Sequence, residues 1–214
     1  MLEILAHRGW WHTEGEKNDT VAFERAFAIG YGVETDVRDL NGTLVISHDM
    51  AIEGGMSLAR FLNIHAAYGQ PGVLALNIKS DGLCAPLLEA IVQAKVERYF
   101  VFDMSVPDTL PYLDAGAEVY TRRSEYELGS PLDEQSRGIW WDCFSGDCEE
   151  GLVSAAVKKG KPSALVSPEL HRRPHMKIWE AWKRDVIAGG GLVPTLLCTD
   201  FPDIADEYFN AKTR

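Results

Sequence analysis

The sequence predicts a single compact (β/α)8 barrel over residues 1–214, with little or no inserted cap domain. Three observations predict it. Short apolar runs alternate with helical stretches through the chain, at roughly 20 to 30 residues per unit, and the strands number eight. No low-complexity tract, Pro-rich linker or shift in composition marks a domain boundary. Polar and ionisable residues gather at the C-terminal end of almost every expected strand, which is where barrel enzymes place their chemistry. A doubly wound open sheet is the structural alternative, since local pattern does not show closure.

Leu2–Ala6 is the first apolar run, and Thr20–Ile29 has helical periodicity ending at Gly30. Tyr31–Val37 follows, and Asn41-Gly42 marks a hairpin leading to Leu44-Val45-Ile46. Ser57–Tyr68 reads as helix, Val73–Ile78 as strand, Leu83–Lys95 as helix and Tyr99–Phe102 as strand. Val106–Ala115 is a proline-interrupted helix, followed by short strands at Glu118–Thr121 and Gly138–Trp141. Arg123–Arg137, between them, carries little helical periodicity and is the weakest unit. The expected elements then run helix 149–159, strand Ala164–Ser167, helix Met176–Ala188, strand 194–198 and helix Asp203–Ala211.

A hydrophobic share of 46% and a charged share of 25% are globular proportions and argue against disorder. The net charge of −11, without a basic run, makes nucleic acid and anionic membranes poor partners. A phosphate remains a possible ligand if a cation and a few local basic groups reverse the field in one pocket. Glu3, His7 and Arg8 interrupt the N-terminal apolar run, and no later stretch reaches transmembrane length, so stable membrane insertion is not expected. The four cysteines, Cys84, Cys143, Cys148 and Cys198, form no C-x-x-C pair and read as reduced thiols of a cytoplasmic protein; a Cys143–Cys148 redox pair is the lesser alternative.

The polar strand ends are His7-Arg8, Glu34 and Asp36, His48-Asp49, Asn77 and Lys79, Asp103, Arg122, Asp142, Glu169 and Thr199-Asp200. Glu34 and Asp36 stand two apart on a strand, so both carboxylates point to one face and can reach one Mg²⁺ or Ca²⁺ ion. The same pair also suits a solvated strand end. Asn77 and Lys79 repeat the spacing: an amide oxygen that can ligate a cation, and an ammonium that can offset phosphate charge, or else a turn residue beside a snorkelling lysine. His7 and His48 supply the two protonation states that phosphodiester cleavage uses, one taking a proton and one giving it. Arg8 presents a fork of donors suited to phosphate oxygens. His12, His65, His171 and His175 read as packed or solvated, with His12 and His171 the better placed for a pocket rim.

The stretch LAHRGWWHTEGEKNDTVAFERAFAIGYGVETDVRDLNGTLVISHD resembles the opening of glycerophosphodiester phosphodiesterase domains. The matching elements are His7-Arg8-Gly9, Asn18-Asp19-Thr20 with Ala22-Phe23, Gly32 with Glu34 and Asp36, and His48-Asp49, in order over the first fifty or so residues. LNIKS matches the family's next strand, which usually ends in E-x-K, and LLCTDFP resembles its closing T-D-x-P.

The resemblance implies a barrel that hydrolyses a small-molecule phosphodiester, a glycerophosphodiester by default, with a divalent cation; a lyase-like relative that releases a cyclic phosphate and a catalytically silent barrel that binds a phosphodiester are the alternatives. It implies His7 and His48 as the acid/base pair, Glu34 and Asp36 as metal ligands, and Arg8 and Lys79 as phosphate-binding groups. Arg122 and Trp141 join them on the substrate side, with Trp10 and Trp11 as further candidates for capping the pocket. Two departures stand out. Asn77 occupies the position of a third carboxylate ligand, so Glu169 is a candidate to compensate. The segment after His48-Asp49 is also short, Ala51–Ser57 leading almost directly into a helix, which implies a more open pocket.

Overall fold

The computed structural model of the chain describes residues 2–146, 151, 158–188 and 195–211. They form two compact units: an N-terminal unit, Leu5–Val119, and a C-terminal unit that joins residues 1–4 to 120–214.

In the N-terminal unit, β1 (Glu3–His7) pairs in parallel with β2 (Gly32–Leu40) through Leu5↔Gly32, Ala6↔Val33 and His7↔Glu34. On its other side β2 takes β4 (Leu74–Ile78), also parallel, and β4 takes β5 (Tyr99–Phe102). Beyond β5, Val119 continues the parallel pairing by bridging Val101. All five residues of β4 and the first six of β2 are buried, as expected of parallel strands covered on both faces. The hairpin read from Asn41-Gly42 is present. Both residues have positive φ, the twist that lets β3 (Thr43–Ile46) fold back antiparallel on β2 with Leu40 opposite Thr43.

Helices cover this sheet. Asp19 caps α1 (Thr20–Ala28) by accepting from the Val21 N–H, and Ser57 caps α2 (Leu58–Ala67) by accepting from the Arg60 N–H. The apolar faces of both helices meet where Phe23, Phe27 and Phe61 cluster, with the Phe23 and Phe61 ring centres 4.6 Å apart. His65 is buried in α2, its Nε2 3.1 Å from the Pro71 carbonyl, a core histidine as expected. α3 (Cys84–Gln93) and α4 (Val106–Asp114) complete the unit, with Pro111 inside α4.

In the C-terminal unit, β6 (Tyr120–Arg123), β7 (Gly138–Trp141), β8 (Ser163–Val166) and β9 (Thr195–Thr199) pair in that order, all in parallel. Residues 124–137, the weakest stretch in the sequence, form turns rather than a helix. Arg123 and Asp133 hold them together through an ion pair, and Thr121 Oγ1 donates to the same carboxylate. α5 (Met176–Ala188) buries Trp179 and Trp182 completely, and α6 (Pro202–Asn210) ends at Asn210, whose side chain bonds the Leu2 backbone. The helix expected over 149–159 falls mostly outside the described residues, and Cys148 and Pro194 lie outside them.

Cys84 and Cys198 are free thiols, whereas Cys143 is disulfide-bonded. The expectation of four reduced cysteines therefore does not hold at Cys143, which stands beyond β7, off the sheet register that fixes Cys198 inside β9. No helix among the described residues is long and apolar enough to cross a membrane.

Candidate active site

Four of the residues singled out in the sequence lie on three neighbouring strands of the N-terminal unit, and two more, Arg8 and Lys79, stand just past the strand ends. His7 ends β1 in register with Glu34, and Asp36, two residues on, is in register with Asn77 of β4. Because strand residues alternate faces, Glu34, Asp36 and Asn77 share one face, and Lys79, just beyond β4, continues it. The ladder carries on past the strand ends. The Arg8 N–H donates to the Glu34 carbonyl at 2.8 Å, Lys79 N–H to Val37 O at 2.9 Å and Ser47 N–H to Asp36 O at 3.0 Å. Each loop bearing a charged residue is thus tied to β2.

The turn after β1 demands its glycine. Arg8 and Gly9 both have positive φ, and a Cβ on Gly9 would sit 2.8 Å from the Ala22 Cβ. Tight contact with α1 swings Arg8 back over the sheet, where its Nε lies 3.1 Å from Asp36 Oδ2. Lys79 Nζ is 3.3 Å from Asp36 Oδ1, and His7 Nε2 is 3.9 Å from Glu34 Oε2. Trp11 donates its indole N–H to the His7 carbonyl, with Lys17 above its ring, while Trp10 packs on the unit's core.

Glu34 and Asp36 are 3% and 1% exposed, yet Glu34 Oε2, Asp36 Oδ1 and Asn77 Oδ1 are buried and take no hydrogen bond. Burying carboxylate oxygens without hydrogen bonds is costly, and the ion pairs to Lys79 and His7 offset it only in part, so the cluster favours a further ligand of positive charge. Burial pushes the Glu34 carboxyl up to about 7, the Asp36 charge adds to the rise, and His7, Arg8 and Lys79 oppose it. Three oxygen donors, two of them carboxylate, are a set that Mg²⁺ or Ca²⁺ accepts. Among the described residues no group of three or more His, Cys, Asp and Glu side chains is arranged to hold a metal ion; this cluster is two carboxylates and an amide.

His48 stands half-exposed in the loop that follows β3, its Nδ1 2.9 Å from Asp49 Oδ1. Both ends of that loop are pinned to the sheet, by Ser47 as above and by the Ile46 N–H donating to Met56 O at 2.8 Å. α2 begins at Leu58, so the segment is as short as the sequence implies.

One participant escapes the sequence reading. Asn18 donates from Nδ2 to Asp36 Oδ2 at 2.9 Å and accepts at Oδ1 from the Thr35 hydroxyl at 2.8 Å. It appears in the sequence only as part of a helix-start motif; a link across 18 positions leaves no local trace.

Arg122, Trp141 and Glu169 belong to the C-terminal unit. Arg122 Nε pairs with Glu127, and its guanidinium lies 5.7 Å from the Phe144 ring centre. Trp141 is part-buried and donates its indole N–H to Ser163 Oγ at 3.2 Å. Glu169 accepts from the Ser167 and Thr199 hydroxyls and from the Asp200 N–H, with His175 Nδ1 3.7 Å away. His171 Nε2 pairs with Asp142 Oδ1 at 2.6 Å.

No family model matches the sequence, and no curated protein matches it. Solved structures do. A glycerophosphodiester phosphodiesterase from Parabacteroides distasonis is similar over 100% of this chain and 98% of its own, at a TM-score of 0.75 and 19% identity. A phosphodiesterase from Oleispira antarctica, in complex with the product sn-glycerol-3-phosphate, follows at 0.68 and 14% identity, over 98% of this chain and 97% of its own. A Ca²⁺-dependent phosphatidylinositol-specific phospholipase C from Streptomyces antibioticus covers 95% of each chain at 0.55 and 11% identity. Near-complete coverage at such low identity is a likeness of fold, and the fold is the (β/α)8 barrel that the order of strands and helices predicts.

Proposed function

We propose that this chain is a metal-dependent phosphodiesterase of the glycerophosphodiester phosphodiesterase family, hydrolysing a glycerophosphodiester or a similar small phosphodiester by two-histidine acid/base catalysis. The observation that carries the reading is the trio of buried oxygens on Glu34, Asp36 and Asn77 that take no hydrogen bond. The fold shared with glycerophosphodiester phosphodiesterases supports it, as does the order of sequence motifs.

In this reading Glu34, Asp36 and Asn77 hold the divalent cation. When bound, the cation supplies Lewis-acid polarisation of a phosphoryl oxygen and offsets the charge that builds there. Arg8 and Lys79, both paired with Asp36, orient the phosphate through their N–H donors and stabilise the same developing charge. One of His7 and His48 takes the proton from the attacking hydroxyl, and the other gives a proton to the leaving alkoxide oxygen. Asp49 bonds His48 at Nδ1, which leaves Nε2 as the nitrogen that exchanges the proton.

Phosphorus NMR of the purified chain with a panel of glycerophosphodiesters tests the reading, first after chelation and then with Mg²⁺ or Ca²⁺ restored. A phosphomonoester that accumulates only with the cation is the expected result. A cyclic phosphate as the final product would replace hydrolysis by a lyase-like reaction, and silence across the panel would overturn the substrate class.

A further inference from the structure

We propose that Asn18 is a positioning residue, a clamp that fixes Asp36 Oδ2 toward Arg8 and leaves Oδ1, the oxygen on the Lys79 side, to reach a cation; the inference rests on the function proposed above. Three bonds define the clamp. The Asn18 backbone N–H donates to the Arg8 carbonyl at 2.9 Å, its Nδ2 donates to Asp36 Oδ2 at 2.9 Å, and the Thr35 hydroxyl donates to its Oδ1 at 2.8 Å. One residue therefore ties the turn that carries Arg8 to the strand that carries both carboxylates.

The amide can point only one way. An ionised carboxylate accepts and never donates, so the Asn18 NH₂ must face Asp36 and its carbonyl must face Thr35, whose hydroxyl supplies the matching donor. Asn18 also has a φ of +59°, the left-handed region that Asn tolerates better than most side chains. With Oδ2 held by Asn18 and lying 3.1 Å from Arg8 Nε, the oxygen without a hydrogen bond is Oδ1. That is the oxygen facing Lys79. The clamp thus fixes the rotation of the carboxylate, with Oδ2 on Asn18 and Arg8 and with Oδ1 on the side of Lys79, free of hydrogen bonds and able to ligate a cation. Groups that orient a metal ligand in this way commonly change metal affinity by about 10 to 100-fold when removed.

The test compares the full-length wild type with Asn18→Ala, Thr35→Val and Thr35→Ser. Mg²⁺ and Ca²⁺ binding is measured by titration calorimetry without substrate, and kcat and KM are measured on a glycerophosphodiester the wild type hydrolyses. Asn18→Ala should weaken cation binding by about tenfold or more. Thr35→Val should weaken it in the same direction, Thr35→Ser should restore it, and combining Asn18→Ala with Thr35→Val should add little to Asn18→Ala alone. A purely structural role would lower the melting temperature of Asn18→Ala while leaving cation affinity at 25 °C equal to wild type, and that result overturns the inference. Should Asn18→Ala fail to fold, the Thr35→Val and Thr35→Ser pair decides: equal cation affinities in the two overturn it. A wild type that neither binds the cation nor turns over any diester overturns the underlying function instead.

Discussion

The two units treat buried carboxylates in opposite ways. In the C-terminal unit, Glu169 accepts from two hydroxyls and a backbone N–H, Asp133 is answered by Arg123 and Thr121, and Asp142 pairs with His171. In the N-terminal unit, Glu34 and Asp36 are more deeply buried and each keeps an oxygen that takes no hydrogen bond, with the longer ion pairs to His7 and Lys79 beside it, and the Asn77 amide oxygen takes none either. A satisfied buried carboxylate organises structure; an unsatisfied one raises the free energy of the folded chain until a ligand arrives. The strands of the two units are built alike, so depth of burial and the satisfaction of the polar groups together separate the proposed site from the scaffold.

The largest expected effect falls on His7 and His48, the proposed acid/base pair. His7→Ala and His48→Ala should each lower kcat by at least about 100-fold without changing the far-ultraviolet circular dichroism spectrum. Full activity in either variant removes that histidine from the chemistry. The next effect is on pH. Because the folded chain holds the Glu34 carboxyl at about 7, above its ordinary value of 4.5, the native state keeps a proton that the unfolded state releases between those values. Stability of the cation-free protein should therefore be favoured below pH 4.5 and fall as pH rises through 7, as far as this group is concerned. Glu34→Gln should remove that slope, so that with chelator present its melting temperature exceeds that of wild type at pH 8 by more than at pH 5. A constant gap across this range would mean that Glu34 is not the group responsible.

Glu169 probes the other side of the comparison. As part of a satisfied network it should matter for folding, since removing it strands the Ser167 and Thr199 hydroxyls and the Asp200 N–H. Glu169→Ala is expected to cost about 1 to 3 kcal/mol in urea denaturation and to leave cation affinity unchanged. A large loss of cation affinity with stability intact would instead return Glu169 to the compensating-ligand role that its strand-end position suggests.

Much of this was legible before any coordinates. Period and punctuation found the strands and helices, because buried parallel strands are apolar throughout and caps such as Asp19 and Ser57 are local. Boundaries drifted by one to three residues where a strand continues into a polar end: β1 runs on to His7, and β2 to Leu40. The candidate site was legible in type, because two-residue spacing on a strand is itself geometry. The Asn18–Thr35–Asp36 clamp was not, since it depends on a loop folding back over a strand. Nor could sequence distinguish the answered carboxylate of Glu169 from the unanswered one of Glu34. Glu34 lies within β2 and Glu169 just beyond β8, and only their neighbours show which one is answered.

The smallest predicted effect concerns Asn77, and it separates a weakened site from a rearranged one. An amide oxygen can ligate a hard cation but brings no charge, so a cage with Asn77 should bind less tightly than one with a third carboxylate. Asn77 is in register with Asp36, and its Oδ1 has no hydrogen-bond donor to lose. Asn77→Glu should therefore tighten Mg²⁺ or Ca²⁺ binding by roughly tenfold in a calorimetric titration at pH 8, the extra charge acting through the cation. The same substitution without cation should lower the melting temperature, because a third carboxylate then crowds Glu34 and Asp36. Opposite signs with and without the cation are what a cage predicts. If Asn77→Glu weakens cation binding as well as the cation-free fold, Asn77 is not a ligand, and the cation rests on Glu34 and Asp36 alone.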